Sequence, residues 1–160
     1  MRISQLALTI AATWFYSGKF PKAPGTMGSL AALPLGWILA LYGIPWLFGA
    51  AAILFLIGLY VSHHYSKMIG QHDAGEIVID EVVGQWLCLL PLPLIGEISD
   101  LGWLLAGFVL FRIFDILKPW PIGWVDRRVS GGMGIMLDDV LAGLFGMGIL
   151  IVARLLIGGF

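Results

Sequence analysis

The chain has 160 residues, of which 59% are AVILMFWYC and only 12% DEKR, with a mean hydropathy of +0.95. An average soluble domain carries about a quarter charged residues, so this composition cannot cover a water-exposed surface and points to a membrane. Nine Lys and Arg against ten Asp and Glu give a formal charge of −1 without a basic excess, so no nucleic acid is expected as a partner. The single cysteine, Cys88, excludes an internal disulfide and a thiolate metal cluster.

Taken in chain order, the first apolar stretch, ISQLALTIAATWF, lies between Arg2 and the Lys19/Lys22 loop. It is too short to cross a hydrocarbon core and is read as a short interfacial or re-entrant helix. A signal peptide is the rival reading, disfavoured because no small-residue cleavage site follows. Spans are then expected over 26–42 and 46–61, separated by the Gly43-Ile44-Pro45 break, over a short 82–95 interrupted by Pro91 and Pro93, over 101–117, and over 140–157. The expected fold is therefore an all-α integral membrane protein, one helical domain over 1–160 with about five membrane-spanning helices.

Lys19, Lys22, Lys67, Lys118, Arg127 and Arg128 all fall in the loops 18–25, 62–81 and 118–137, whereas the GIP and GEISD loops hold no Lys or Arg. The excess of basic residues in cytoplasmic loops puts those three inside and the C-terminus outside. Arg154 then snorkels at the outer end of the last span. Trp14, Trp37, Trp46, Trp103, Trp120 and Trp124 are read as interface anchors or packing.

The acids are one-sided as well. Asp73, Glu76, Asp80, Glu81, Asp115, Asp126, Asp138 and Asp139 gather at the inner ends of spans, and solvated loops account for Asp73, Glu76 and Asp126. Asp80-Glu81 and Asp138-Asp139 stand where apolar helices are expected to begin, so helix capping explains either pair alone. Two such pairs together with Arg112 and Asp115 inside a span favour a shared site, because ionisable groups in membrane segments are costly. Carboxylate oxygens suit a hard cation such as Mg2+. Arg112, Asp115 and Lys118 recur at i, i+3, i+6 on one helix face, followed by Arg127, Arg128 and the loop Ser130-Gly131-Gly132-Met133-Gly134. Guanidinium groups and glycine backbone N–H groups bind phosphate, and Thr26 and Ser29 in PGTMGS either cap the first span or add to such a cradle.

Several phosphatase chemistries lack their parts: there is no Cys-x5-Arg, no histidine beyond His72, and no Asp-x-Asp-x-Thr. Metal-assisted chemistry remains, with His72 a candidate acid or base. The segments KAPGTMGSL (22–30), His72-Asp73 with Ile79-Asp80-Glu81, FRIFD (111–115), KPWPI (118–122) and GGMGIM (131–136) with Asp138-Asp139 resemble the phosphatidylglycerophosphatase A family in order and spacing. The resemblance implies a magnesium-dependent lipid phosphatase of the bacterial inner membrane, multi-pass, its active site facing the cytoplasm. Its substrate would be phosphatidylglycerophosphate among the membrane lipids, its acyl chains staying in the bilayer, and a homo-oligomer is compatible with it. On that reading Asp80, Glu81, Asp138 and Asp139 hold Mg2+. Thr26, Ser29, Arg112, Lys118, Arg127, Gly131 and Gly132 receive the phosphate, and Asp80, Asp115 and Asp139 carry the chemistry. A small transporter would place its charges near the bilayer midplane, and a non-catalytic subunit of a lipid-synthesis complex would need no magnesium.

Overall fold

The computed structural model describes residues 3–71, 74–94 and 100–158. His72 and Asp73, singled out in the sequence, lie outside the described residues. Within them the protein is all-helical: α1 (Ile3–Ala12), a 3-10 turn (Ser17–Lys19), α2 (Pro24–Leu41), α3 (Ile44–Ile69), α4 (Ile79–Leu89), α5 (Leu101–Leu117), α6 (Ile122–Arg128) and α7 (Gly131–Gly158).

Local chemistry sets the boundaries. Pro24 opens α2 at a position whose N–H has no helical partner in any case. Asp100 caps α5, its carboxylate accepting from the Gly102 N–H at 2.6 Å. Gly70, at φ +72°, ends α3 in the left-handed region. Trp14, Phe15 and Tyr16 all have positive φ, and there the chain leaves α1 after ten residues.

Among the described residues three helices, α2, α3 and α7, are long and apolar enough to cross a membrane. The 101–117 segment is helical over the whole expected range, and its 17 residues make α5 one residue shorter than α2. The 82–95 segment differs most: α4 has 11 residues, about 16 Å of helix, and gives way to turns over 90–94 that contain Pro91 and Pro93. α3 runs eight residues past the expected 61, its polar end still helical up to Gly70. α7 starts nine residues before the expected 140, so the glycine segment 131–134 is the first turn of a helix rather than a loop.

The short α4 is the centre of the bundle. It packs against α7, α2, α3 and α5, and every residue of it except Glu81 is buried. Small residues allow this approach, as is usual between helices in lipid. A Cβ on Gly84 would lie 2.5 Å from the Asp139 carbonyl oxygen and 2.5 Å from the Phe111 ring, while one on Gly143 would collide with the Gly84 carbonyl. Trp86 adds a directional bond, Nε1 donating to the Ala32 carbonyl of α2 at 2.9 Å. Gly84→Ala is therefore expected to cost about 1–3 kcal/mol by overpacking, read as a lower melting temperature, and to displace the Asp139 backbone.

Candidate active site

The packing of α4 on α7 and α5 brings acidic residues from four helices to one end of the bundle. α4 carries Asp80 and Glu81 in its first turn, α5 carries Arg112 and Asp115 in its last turns with Lys118 as C-cap, α6 carries Asp126, and α7 carries Asp138 and Asp139. Lys118 holds the left-handed conformation at φ 43°, which ends α5 and turns the chain toward α6.

All of these residues except Arg112 line a cavity of about 200 Å3, whose wall is completed by Gly75, Ile77, Val129, Gly134 and Ile135. Oxygens of Asp80, Glu81 and Asp139 lie within 4.8 Å of one another. Asp80, Asp115, Asp138 and Asp139 are all buried. Asp138 and Asp139 sit two turns inside α7, too far from its start to cap it, so capping does not account for that pair. Capping remains available only to Asp80 and Glu81.

Two bases face the acids in different ways. Lys118 lines the cavity, its Nζ donating to Asp138 Oδ2 at 2.7 Å and to Asp126 Oδ1 at 2.5 Å. Partial burial works against its charge, but the two carboxylates outweigh it and hold the ammonium above the ordinary lysine range, so it stays protonated at neutral pH. Arg112 stands behind the cavity wall. Its Nη1 is 2.5 Å from Asp115 Oδ2, 3.7 Å from Glu81 Oε1 and 3.3 Å from Ser29 Oγ, which in turn donates to the Gly25 carbonyl at 2.8 Å.

This arrangement leaves acceptor capacity unused. Glu81 Oε2, Asp138 Oδ1 and Asp139 Oδ2 are buried and accept no hydrogen bond among the described residues. Six carboxylates line the cavity with Lys118 as the one base among the lining residues. An all-oxygen, anion-rich donor set of this kind fits a hard divalent cation, which prefers carboxylates and water.

The structure brings together Asp80, Glu81, Asp115, Lys118, Asp138 and Asp139. The other phosphate-cradle candidates lie outside the cavity lining. Gly25, in the PGTMGS segment, packs so closely on Glu81 that a Cβ there would collide with Oε1 and lie 3.2 Å from both Arg112 terminal nitrogens. That segment, with Thr26 half-buried and Ser29 bonded to Arg112, abuts the back of the Glu81–Arg112 pair. Gly132 is placed by close packing, since a Cβ would collide with the Leu59 carbonyl of α3, and Gly131 starts α7 with φ +73°. Arg127 is exposed on α6.

Two residues that sequence reasoning assigned to solvated loops have defined roles in the geometry. Asp126 holds Lys118, and Glu76 accepts from Tyr65 Oη at 2.5 Å while lying 3.7 Å from Lys19 Nζ. The Glu76 pair ties the cavity-lining 74–78 loop to α3 and to the segment before α2. No spacing rule reveals either residue, because each contact crosses between elements.

A family model described as phosphatidylglycerophosphatase A matches residues 10–154. The chain belongs to the phosphatidylglycerophosphatase A family, a family of phosphatases. It is 50% identical over 143 residues to phosphatidylglycerophosphatase A of Escherichia coli, covering 88% of this chain and 80% of the relative. The Haemophilus influenzae phosphatidylglycerophosphatase A is 44% identical over 137 residues, covering 85% and 82%. A Bacteroides thetaiotaomicron protein, named provisionally as a phosphatidylinositol-3-phosphatase, is 37% identical over 151 residues, covering 91% and 92%. No solved structure matches the chain.

Proposed function

We propose that the protein hydrolyses the phosphomonoester of phosphatidylglycerophosphate to phosphatidylglycerol and inorganic phosphate, with Mg2+, from the cytoplasmic face of a bacterial inner membrane. The observation that carries this reading is the cluster of Asp80, Glu81 and Asp139 oxygens within 4.8 Å, in a cavity that also holds the protonated Lys118. Family membership supplies the substrate class.

Asp80, Glu81 and Asp139, with Asp138 alongside, would hold the cation. When bound, it supplies Lewis acidity toward the phosphoryl oxygens and a water of lowered pKa. Lys118 neutralises the phosphomonoester oxygens, and Asp126 and Asp138 keep its ammonium aimed into the cavity. Asp115 receives the proton of the attacking water as the P–O bond to glycerol breaks, and gives that proton up to the departing glycerol oxygen, which leaves as the alcohol with Asp115 again ionised. Arg112 acts through Asp115 and Glu81, fixing both carboxylates instead of touching the phosphate.

The site end of the bundle is also its basic end: Lys19 and Lys22 precede α2, Lys67 ends α3, Lys118 ends α5, and Arg127 and Arg128 precede α7. That asymmetry supports a cytoplasmic site. In the proposed topology α5, about 26 Å long, makes a further crossing beside α2, α3 and α7, and α4 with its following turns makes the fifth.

Purified wild-type protein is expected to release phosphate from the lipid only with magnesium, and Asp80→Asn to lower that rate by about a hundredfold or more. Phosphate release that survives chelation, or wild-type rates in the variant, would sink the metal assignment. A preference for phosphatidylinositol 3-phosphate would move the substrate assignment while leaving the chemistry in place.

A further inference from the structure

A second concavity, of about 390 Å3, lies where α4 meets α3 and α7, and every side chain that lines it is apolar. Its wall includes Ala52 and Phe55 of α3, Val83 and Leu87 of α4, and Val140 and Leu144 of α7. Its relation to the polar cavity is written along the helices. On α4, Asp80, Val83 and Leu87 follow at i, i+3 and i+7 and so share one face. The first turn of that face presents Asp80 to the polar cavity, and the next two turns present Val83 and Leu87 to the apolar groove. On α7, Val140 directly follows Asp139 of the carboxylate cluster, and Leu144 stands one turn further on.

We propose that this groove seats one acyl chain of the lipid whose head group occupies the polar cavity. The inference rests on the lipid-phosphatase reading above and adds to it where the substrate's tail lies. A helix face that is polar for one turn and apolar for the next two matches an amphiphile laid along it, head group toward Asp80 and hydrocarbon toward Leu87. The occupant is hydrocarbon and not an extended peptide, because the lining side chains offer no donor or acceptor, and an unsatisfied backbone there would cost several kcal/mol per group. The groove thus sets the register between tail and phosphate, while the chain seated in it stays within the hydrocarbon layer.

Ala52, exposed on α3, is the position to fill. Ala52→Trp and the milder Ala52→Leu are assayed for kcat/KM on dioleoyl phosphatidylglycerophosphate in mixed micelles and on its water-soluble dihexanoyl analogue, whose short tails do not reach along the groove. Loss of a few buried methylenes is expected to lower the dioleoyl value by about tenfold in Ala52→Trp and less in Ala52→Leu. The dihexanoyl value stays at the wild-type level, which also shows that the variants are folded. Parallel changes on the two lipids, or no change on either, would overturn the groove assignment. Wild-type protein that releases phosphate from neither lipid would instead overturn the proposed function.

Discussion

Asp139→Asn is expected to lower phosphate release by about a thousandfold and, in the absence of divalent cations, to raise the melting temperature. The two effects have one cause. Asp139 is buried in α7, one of its oxygens shares a 4.8 Å cluster with Asp80 and Glu81, and its Oδ2 accepts no hydrogen bond among the described residues. Like charges so close, taken out of water, destabilise the folded chain unless a cation joins them. Asparagine keeps the volume, removes the repulsion and removes the ligand. Phosphate release measured beside thermal unfolding with and without magnesium checks both halves. A residue that merely held the fold together would give the opposite sign in the melting experiment, and a wild-type rate would remove Asp139 from the site. Magnesium is also expected to stabilise the wild type more than the variant, since a ligand that binds only the folded state adds stability in proportion to its occupancy.

Arg112→Met is the complementary case, with a large cost in stability. Arg112 is paired with Asp115 and Glu81, and the three side chains are each less than 15% exposed. Removing one partner of a buried ion pair leaves an uncompensated charge, which costs about 3–5 kcal/mol. Denaturant unfolding is expected to show a loss of that size, and adding Glu81→Gln is expected to recover part of it, because one orphaned carboxylate then becomes neutral. The Arg112 side chain also reaches Ser29 of α2, so the single variant loosens the α2–α5 contact as well. Full stability in Arg112→Met would show that the pairing with Asp115 and Glu81 does not hold the site together.

Much of this molecule was legible before any coordinates. The membrane class follows from composition alone, because a chain this apolar has too few polar residues to face water on all sides. The 101–117 helix is legible to its observed ends, since Asp100 and the Lys118-Pro119 step bracket an apolar run whose only charges are Arg112 and Asp115. The carboxylate pairs stood out because charge inside apolar runs is costly and has few bland explanations.

What the sequence determined, then, was the inventory: apolar helices, the end of each on which charge gathers, and the acids worth suspecting. Hydropathy and charge are properties of single residues and their spacing, so they are visible one segment at a time. Only the tertiary structure decided that α4 ends at Leu89 and lies buried at the centre of the bundle, and that Gly25 and Gly132 serve close packing. It alone placed Arg112 outside the cavity lining, paired with the lining carboxylates of Asp115 and Glu81, and brought Asp126 to Lys118. Each of those outcomes depends on which helix lies against which, and such contacts join residues whose distance along the chain carries no period.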